Sequence, residues 1–199
     1  MVSKQMQNVI ETLEWVKDNI HLVKVDPKEH GASFFERTPG EVLKSKQTNY
    51  INTCIDLTMA TAILLKEKGF RPVIVAQERV HGVTKMPVVY LMIEVPINRC
   101  VHTIDYRRGK VAEIYKGRVD PKRASSQKHL ALHRFSTDGL TRKTKPHTLF
   151  GFAGVFEVHN VFTHCSAKGA AELVKVMERA NRTNLFKRVK NVNKRVLRR

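Results

Sequence analysis

The chain has 199 residues, of which 42% are hydrophobic and 27% charged, and its formal net charge is +18 at pH 7. This length and composition fit one folded domain with a real core and argue against a disordered chain. The longest apolar run, residues 86–93, falls well short of the roughly 20 residues that span a bilayer, and the charged N-terminal stretch does not match a secretory signal. Three cysteines without CxxC spacing suggest neither a disulfide framework nor a zinc site and fit a reducing cytoplasm. No metal and no cofactor are predicted.

The positive charge is concentrated in the second half of the chain. Residues 1–100 carry 13 Lys and Arg against 11 Asp and Glu, a net charge of +2, so residues 101–199 carry +16. Residues 179–199 contain nine basic side chains and no acidic one. Blocks of like charge repel one another and favour a polyanionic partner, most commonly nucleic acid. A solubilising surface is the alternative, but such surfaces usually mix both signs.

The first predicted element is an amphipathic helix over residues 4–21, where Val9, Leu13 and Val16 recur at helical spacing. A loop rich in turn-forming residues follows, and Pro39 opens a short helix.

A buried helix is predicted next. Thr53 and Asp56 match a capping box, which makes Cys54 the first helical residue, and Gly69 closes the helix after an almost wholly apolar run. A thiol at a helix N-terminus is expected to have a lowered pKa, which favours a nucleophile. The alternative is a small buried structural cysteine.

The following segments predict an antiparallel sheet. Residues 70–76, 86–95 and 100–106 are typical strands, the last two joined by the turn PINR, and residues 109–117 predict one more strand. Residues 116–146 contain nine basic and two acidic residues and predict a long basic loop or irregular insertion. The resulting interpretation is a single α+β domain over residues 1–180 and a basic tail over residues 181–199.

This order of elements resembles the transglutaminase-like branch of the papain-like cysteine-enzyme fold. The similar stretches are IETLEWVKDNI, PGEVLKSKQTNYINTCIDLTMATAILLKEKGFRPVIV, VYLMIEV and VHTIDY. The resemblance implies a transglutaminase-like core, in which a buried cysteine-bearing helix packs on an antiparallel sheet, followed by a basic C-terminal extension. It also implies that Cys54 is the nucleophile and that Asp105 orients a catalytic histidine.

The catalytic histidine of the family has no match at its implied place, which is Val89 or Tyr90. His81, just before that strand, is the candidate substitute, and His159 and His164 could approach from the second half. His102 is three residues from Asp105 on one strand, so the two side chains should point to opposite faces. Because no histidine occupies the implied position, the sequence predicts an incomplete catalytic centre. Loss of one member of a catalytic unit removes most of its rate advantage.

The leading hypothesis is a cytoplasmic protein that binds nucleic acid through phosphates, without sequence preference. Inactive domains of the resembled fold help to hold DNA in DNA-damage recognition proteins, so the resemblance favours DNA over RNA. An active thiol hydrolase or acyltransferase using Cys54 is the alternative, and a partner-binding module of a viral or plasmid-like element is the third hypothesis. The predicted nucleic-acid contacts are Arg107, Arg108, Lys110, Lys187, Arg188, Lys190, Lys194, Arg195, Arg198 and Arg199.

Overall fold

The computed structural model describes residues 2–23, 37–49, 53–80, 87–106, 110–120, 129–146 and 149. These residues form three helices, a five-stranded antiparallel sheet and a pair of short parallel strands. The predicted α+β class is therefore confirmed. The tail over residues 181–199 lies outside the described residues.

The first two described helices have capped N-terminal ends, and the third is apolar around most of its surface. They are α1 Lys4–Asn19, α2 Pro39–Ser45 and α3 Thr53–Glu67. Ser3 caps α1 by accepting a hydrogen bond from the Met6 amide. At α2, Thr38 and Glu41 form a complete capping box, with Pro39 in the first turn.

The described strands are arranged in two groups. The short pair, β1 His21–Val23 and β2 Gln47–Asn49, is parallel. The larger sheet has the order β6-β5-β4-β3-β7, and all its neighbours are antiparallel. Its strands are β3 Val73–Val80, β4 Pro87–Ile97, β5 Cys100–Asp105, β6 Glu113–Lys116 and β7 His129–Ser136.

Strand β7 corrects the prediction of an irregular insertion over residues 116–146. Residues 129–136 pair along β3 and form an edge of the large sheet. Basic and turn-forming residues dominate the composition of the segment. They obscure a strand whose paired residues lie 50 (His129 with Arg79) to 63 (Ser136 with Val73) positions earlier in the chain. The expected strand at residues 109–117 is present as β6.

Helix α3 is the centre of the fold. Eleven of its 15 residues are buried, and it packs on α1, α2, β3 and β4. The main hydrophobic cluster lies between this helix and one face of the sheet, and includes Leu91, Ile93 and Val95 of β4. The opposite face of the sheet carries a second, smaller cluster of Val75, Met92 and Val119. No helix within the described ranges combines the length and the apolar character needed to cross a membrane.

Candidate functional site

Cys54 lies in the first turn of α3 and faces the middle of β4. Its Sγ accepts a hydrogen bond from the Leu91 amide at 3.3 Å and is 3.6 Å from the Leu91 carbonyl oxygen. The residue is half-buried and packs against the main hydrophobic cluster. The structure therefore places the thiol at the N-terminal end of a buried helix, against the central strand of the sheet.

Asp105 lies on the other face of the sheet from Cys54. Its direct partner on β4 is Met92, which belongs to the second cluster. Directly paired residues of antiparallel strands point to the same face, and successive residues alternate. Consistently, Ile104 and Tyr106 pack in the main cluster on the α3 side. The sheet thus separates Asp105 from Cys54, and the structure does not bring together the two side chains that the resemblance implied would act jointly.

The α3 side next to Asp105 is instead occupied by Tyr106. Its hydroxyl lies 2.6 Å from Oγ1 of Thr61 on α3, and burial raises the pKa of this phenol. This hydrogen bond between Tyr106 and Thr61 connects the end of β5 to α3. His102 pairs with Val95, a residue of the main cluster, so the expected separation of His102 from Asp105 is observed.

The other predicted catalytic residue, His81, lies outside the described residues, as do His159 and His164. The identity of a catalytic histidine that would act as the base therefore stays a prediction. Within the described ranges, no three His, Cys, Asp or Glu side chains come together in a group that could hold a metal ion.

Asp56 forms a buried polar centre that sequence reasoning missed. The carboxylate is 3% exposed, and its Oδ2 accepts hydrogen bonds from Nη1 of Arg37 at 3.0 Å and Oγ1 of Thr48 at 2.7 Å. Burial raises its pKa to about 6, although Arg37 and Thr48 both act to lower it. The expected role of Asp56 was to cap α3 with Thr53. The observed contacts connect α3 to β2 and to Arg37, two residues before α2.

Arg37 extends this centre towards the surface. Its Nη2 donates to Oγ of Ser45 at 2.9 Å and to the Gln47 carbonyl oxygen at 2.8 Å. An open cavity of about 470 Å³ adjoins the guanidinium and is lined by Arg37, Glu41, Lys44 and Ser45. The only sequence signal for this arrangement was a carboxylate within an otherwise apolar helix.

A second buried carboxylate lies on the far face of the sheet. Oε1 of Glu94 accepts hydrogen bonds from the Val119 amide and from Nη2 of Arg134, both at 2.9 Å, and its Oε2 accepts one from Nε of Arg134 at 3.2 Å. This bidentate contact links β4 to β7 across β3. It accounts for the presence of an arginine within the edge strand.

Most of the excess positive charge lies outside the described residues. The described residues contain 17 Lys and Arg against 12 Asp and Glu, a net charge of +5 out of the +18 of the whole chain. Of the predicted nucleic-acid contacts, only Lys110 is described, and it is half-exposed. Arg107, Arg108 and the seven predicted residues of the tail lie outside the described residues.

The described charge is itself unevenly distributed. Residues 37–49 and 137–146 together contain six Lys and Arg against two acidic residues. The structure brings these segments together, because the Gly40 amide donates to the Arg142 carbonyl oxygen at 2.8 Å. We call this region the α2 basic surface, and its basic residues are Arg37, Lys44, Lys46, Arg142, Lys143 and Lys145.

No protein-family model, curated protein or solved structure matches this chain.

Proposed function

We propose that this protein binds nucleic acid electrostatically, through phosphates and without sequence preference, and that its cysteine site is an incomplete catalytic centre. The observation that carries the proposal is the net charge of +18, of which +16 belongs to residues 101–199. A charge of this size attracts polyanions over long distances, and release of their counterions supplies the binding free energy. DNA is the favoured partner.

The C-terminal segment 179–199, which contains the tail, supplies the densest part of this charge. Residues 179–199 contain nine basic side chains, and no carboxylate within the segment can neutralise them. Lysine and arginine side chains that contact phosphates read no base edge, so they give affinity and not sequence recognition. A preference for one duplex sequence over another is therefore not expected.

The proposal of an incomplete catalytic centre is supported by the position of Asp105. A helix that begins beside a cysteine and packs on an antiparallel sheet is the arrangement that the transglutaminase-like resemblance implies. A cysteine nucleophile also requires a base, and that base requires an orienting group on the same side of the sheet. Asp105 points to the other face, so it is not available to an imidazole beside Cys54.

The proposal can be tested by measuring binding of the full-length protein to two fluorescently labelled duplexes of unrelated sequence. Both should bind with equal affinity, and an unlabelled polyanion such as heparin should displace both. A variant with glutamine at the seven predicted tail contacts should bind both duplexes more weakly by the same factor. A wild-type protein that binds neither duplex, or a tail variant with unchanged affinity, would contradict the proposal.

A further inference from the structure

We propose that the open cavity beside Arg37 binds the oxyanion group of a small molecule, and that protonation of Asp56 in the core increases the affinity of this site. The cavity has a volume of about 470 Å³, and the described residues that line it are Arg37, Glu41, Lys44 and Ser45. This volume is within the range of small-molecule sites. The inference goes beyond the proposed nucleic-acid binding and does not depend on it.

The first argument is that hydrogen bonds hold the guanidinium of Arg37 in place. Its Nη2 donates to Oγ of Ser45 and to the Gln47 carbonyl oxygen, and its Nη1 donates to Asp56. The same guanidinium lines the cavity, and its side chain is 21% exposed. A planar cation whose N–H groups have fixed directions suits the geometry of carboxylate, sulfate and phosphate groups.

The second argument is the balance of charge at the cavity, which depends on one proton. Two of the described lining residues, Arg37 and Lys44, are positive. Glu41 is negative, because hydrogen bonds from Thr38 lower its pKa. With Asp56 ionised, the two positive and two negative groups cancel. With Asp56 protonated, two positive groups face one negative group, and the site has a net positive charge that favours an anion.

Asp56 changes its protonation in an accessible range of pH. The residue is 3% exposed, and burial raises its pKa to about 6. The charge of Arg37 and the hydrogen bond from Thr48 act to lower this pKa, and the charge of Glu41 acts to raise it. Ionised Asp56 therefore competes with a bound anion for the charge of Arg37. Because the coupling is reciprocal, an anion in the cavity should in turn raise the pKa of Asp56.

The test measures sulfate binding to the full-length protein by isothermal titration calorimetry at pH 5 and pH 7, with the ionic strength held constant by chloride. Sulfate keeps its charge over this range. The wild type should bind sulfate roughly tenfold more tightly at pH 5, because the protonated fraction of Asp56 falls from about nine-tenths to about one-tenth between the two pH values. In Asp56→Asn this tenfold difference should be lost. Titration of the nine histidines changes the net charge of both proteins equally, so the difference between them reports Asp56.

Two substitutions on the cavity wall change the site without altering the core. Glu41→Gln removes the opposing charge and keeps a side-chain oxygen for the capping box, so it should bind sulfate more tightly at both pH values. Lys44→Gln should bind sulfate more weakly, and each change should be about two- to fivefold. The matched control is Lys4→Gln, which replaces an exposed lysine of α1 and should bind sulfate like the wild type.

The inference would be overturned if the wild type shows no saturable sulfate binding at pH 5, or if it shares its pH dependence with Asp56→Asn. Equal affinities of Lys44→Gln, Glu41→Gln and Lys4→Gln would also overturn it. The phosphates of nucleic acid share the chemistry of sulfate, so duplex binding by the wild type and Asp56→Asn is measured at the same two pH values. The ratio of duplex affinities at pH 5 and pH 7 should be the same in both proteins. A larger ratio in the wild type would assign the cavity to nucleic-acid phosphates and would overturn the small-molecule site.

Discussion

Arg37 and Asp56 form the most deeply buried ion pair described in this structure, with 3.0 Å between Nη1 and Oδ2. The carboxylate belongs to the buried helix α3, and the guanidinium belongs to the residue before the capping box of α2. Thr48 of β2 completes the carboxylate's contacts. The buried carboxylate of Asp56 therefore connects α3 to β2 and to the residue before the capping box of α2. Its protonation should affect the stability of the whole fold.

The first prediction concerns the dependence of stability on pH. Burial raises the pKa of Asp56 to about 6 from an ordinary 3.8, so between these values the folded state binds more protons than the unfolded state. The contribution of Asp56 to the free energy of unfolding is therefore fully present below its ordinary pKa of 3.8 and is lost as the pH rises through about 6. Relative to Asp56→Asn, the free energy of unfolding of the wild type should fall by on the order of 1 to 3 kcal/mol between pH 4 and pH 7. Urea unfolding at several pH values measures this difference.

Arg37→Met provides the control for that experiment. It removes the cation that opposes the effect of burial, so Asp56 should hold its proton to a still higher pH. The loss of stability should be roughly 2 to 4 kcal/mol at pH 7 and smaller at pH 5, where the carboxyl group is neutral. A free energy of unfolding of the wild type that rises with pH relative to that of Asp56→Asn would contradict the assignment.

The second prediction concerns Lys66, near the end of α3. Its Nζ donates to the carbonyl oxygens of Thr137, Asp138 and Leu140 at 2.8, 2.6 and 2.9 Å. Lys66→Met would remove one donor from all three carbonyl oxygens, of which that of Thr137 keeps the Leu140 amide, and this should cost about 1 to 3 kcal/mol in the free energy of unfolding. The matched variant is Lys68→Met, whose ammonium group contacts the Asn8 carbonyl oxygen at 3.3 Å. If both variants lose the same stability, the role assigned to Lys66 is incorrect.

The third prediction concerns the close approach between α2 and the segment that follows β7. A Cβ atom at Gly40 would lie 2.7 Å from the Arg142 carbonyl oxygen, whereas one at Gly139 would meet nothing within 4 Å. Gly40→Ala should therefore reduce the free energy of unfolding by on the order of 1 to 3 kcal/mol, because backbone must move to accept the methyl group. Thermal unfolding of Gly40→Ala and Gly139→Ala tests this. A Gly40→Ala variant that is as stable as Gly139→Ala would show that the two segments do not meet as described.

The fourth prediction concerns the reactivity of Cys54. With its sulfur half-buried against the Leu91 amide and Asp105 on the opposite face, Cys54 should react with iodoacetamide at pH 7 no faster than half-buried Cys100. Mass spectrometry of the labelled protein gives the rate at each site. Selective and rapid labelling of Cys54 well below pH 8 would show an activated thiol, would contradict this prediction and would favour the thiol enzyme over the proposed function.

The fold was largely predictable where local signals were strong. The period of Val9, Leu13 and Val16 predicts α1, and the turn between β4 and β5 is marked by residues 98 and 99, which both take positive φ. Strand β7 was not predictable in this way, because its Arg134 is explained only by buried Glu94 on another strand. Such tertiary pairs leave no periodic pattern in the sequence.

The candidate site was predictable only in part, and Asp105 illustrates the reason. Asp105 lies between Ile104 and Tyr106, which are both large and mainly hydrophobic. Because side chains alternate along a strand, the sequence already predicts that Asp105 points away from the main hydrophobic cluster, which lies on the α3 side of the sheet. The family resemblance implied the opposite role and outweighed this local signal. Likewise, Asp56 satisfied a capping pattern in sequence, whereas its partners Arg37 and Thr48 are brought to it only by the packing of α2 and β2.

The central claim is that phosphates, and not bases, supply the affinity of this protein for nucleic acid. The most direct test is the affinity of the wild-type protein for a random-sequence duplex as the salt concentration rises. A linear fall of log affinity with log salt concentration is expected, with a slope steeper than about −4, as several phosphate contacts require. A slope near zero would contradict the account, whatever the affinity itself.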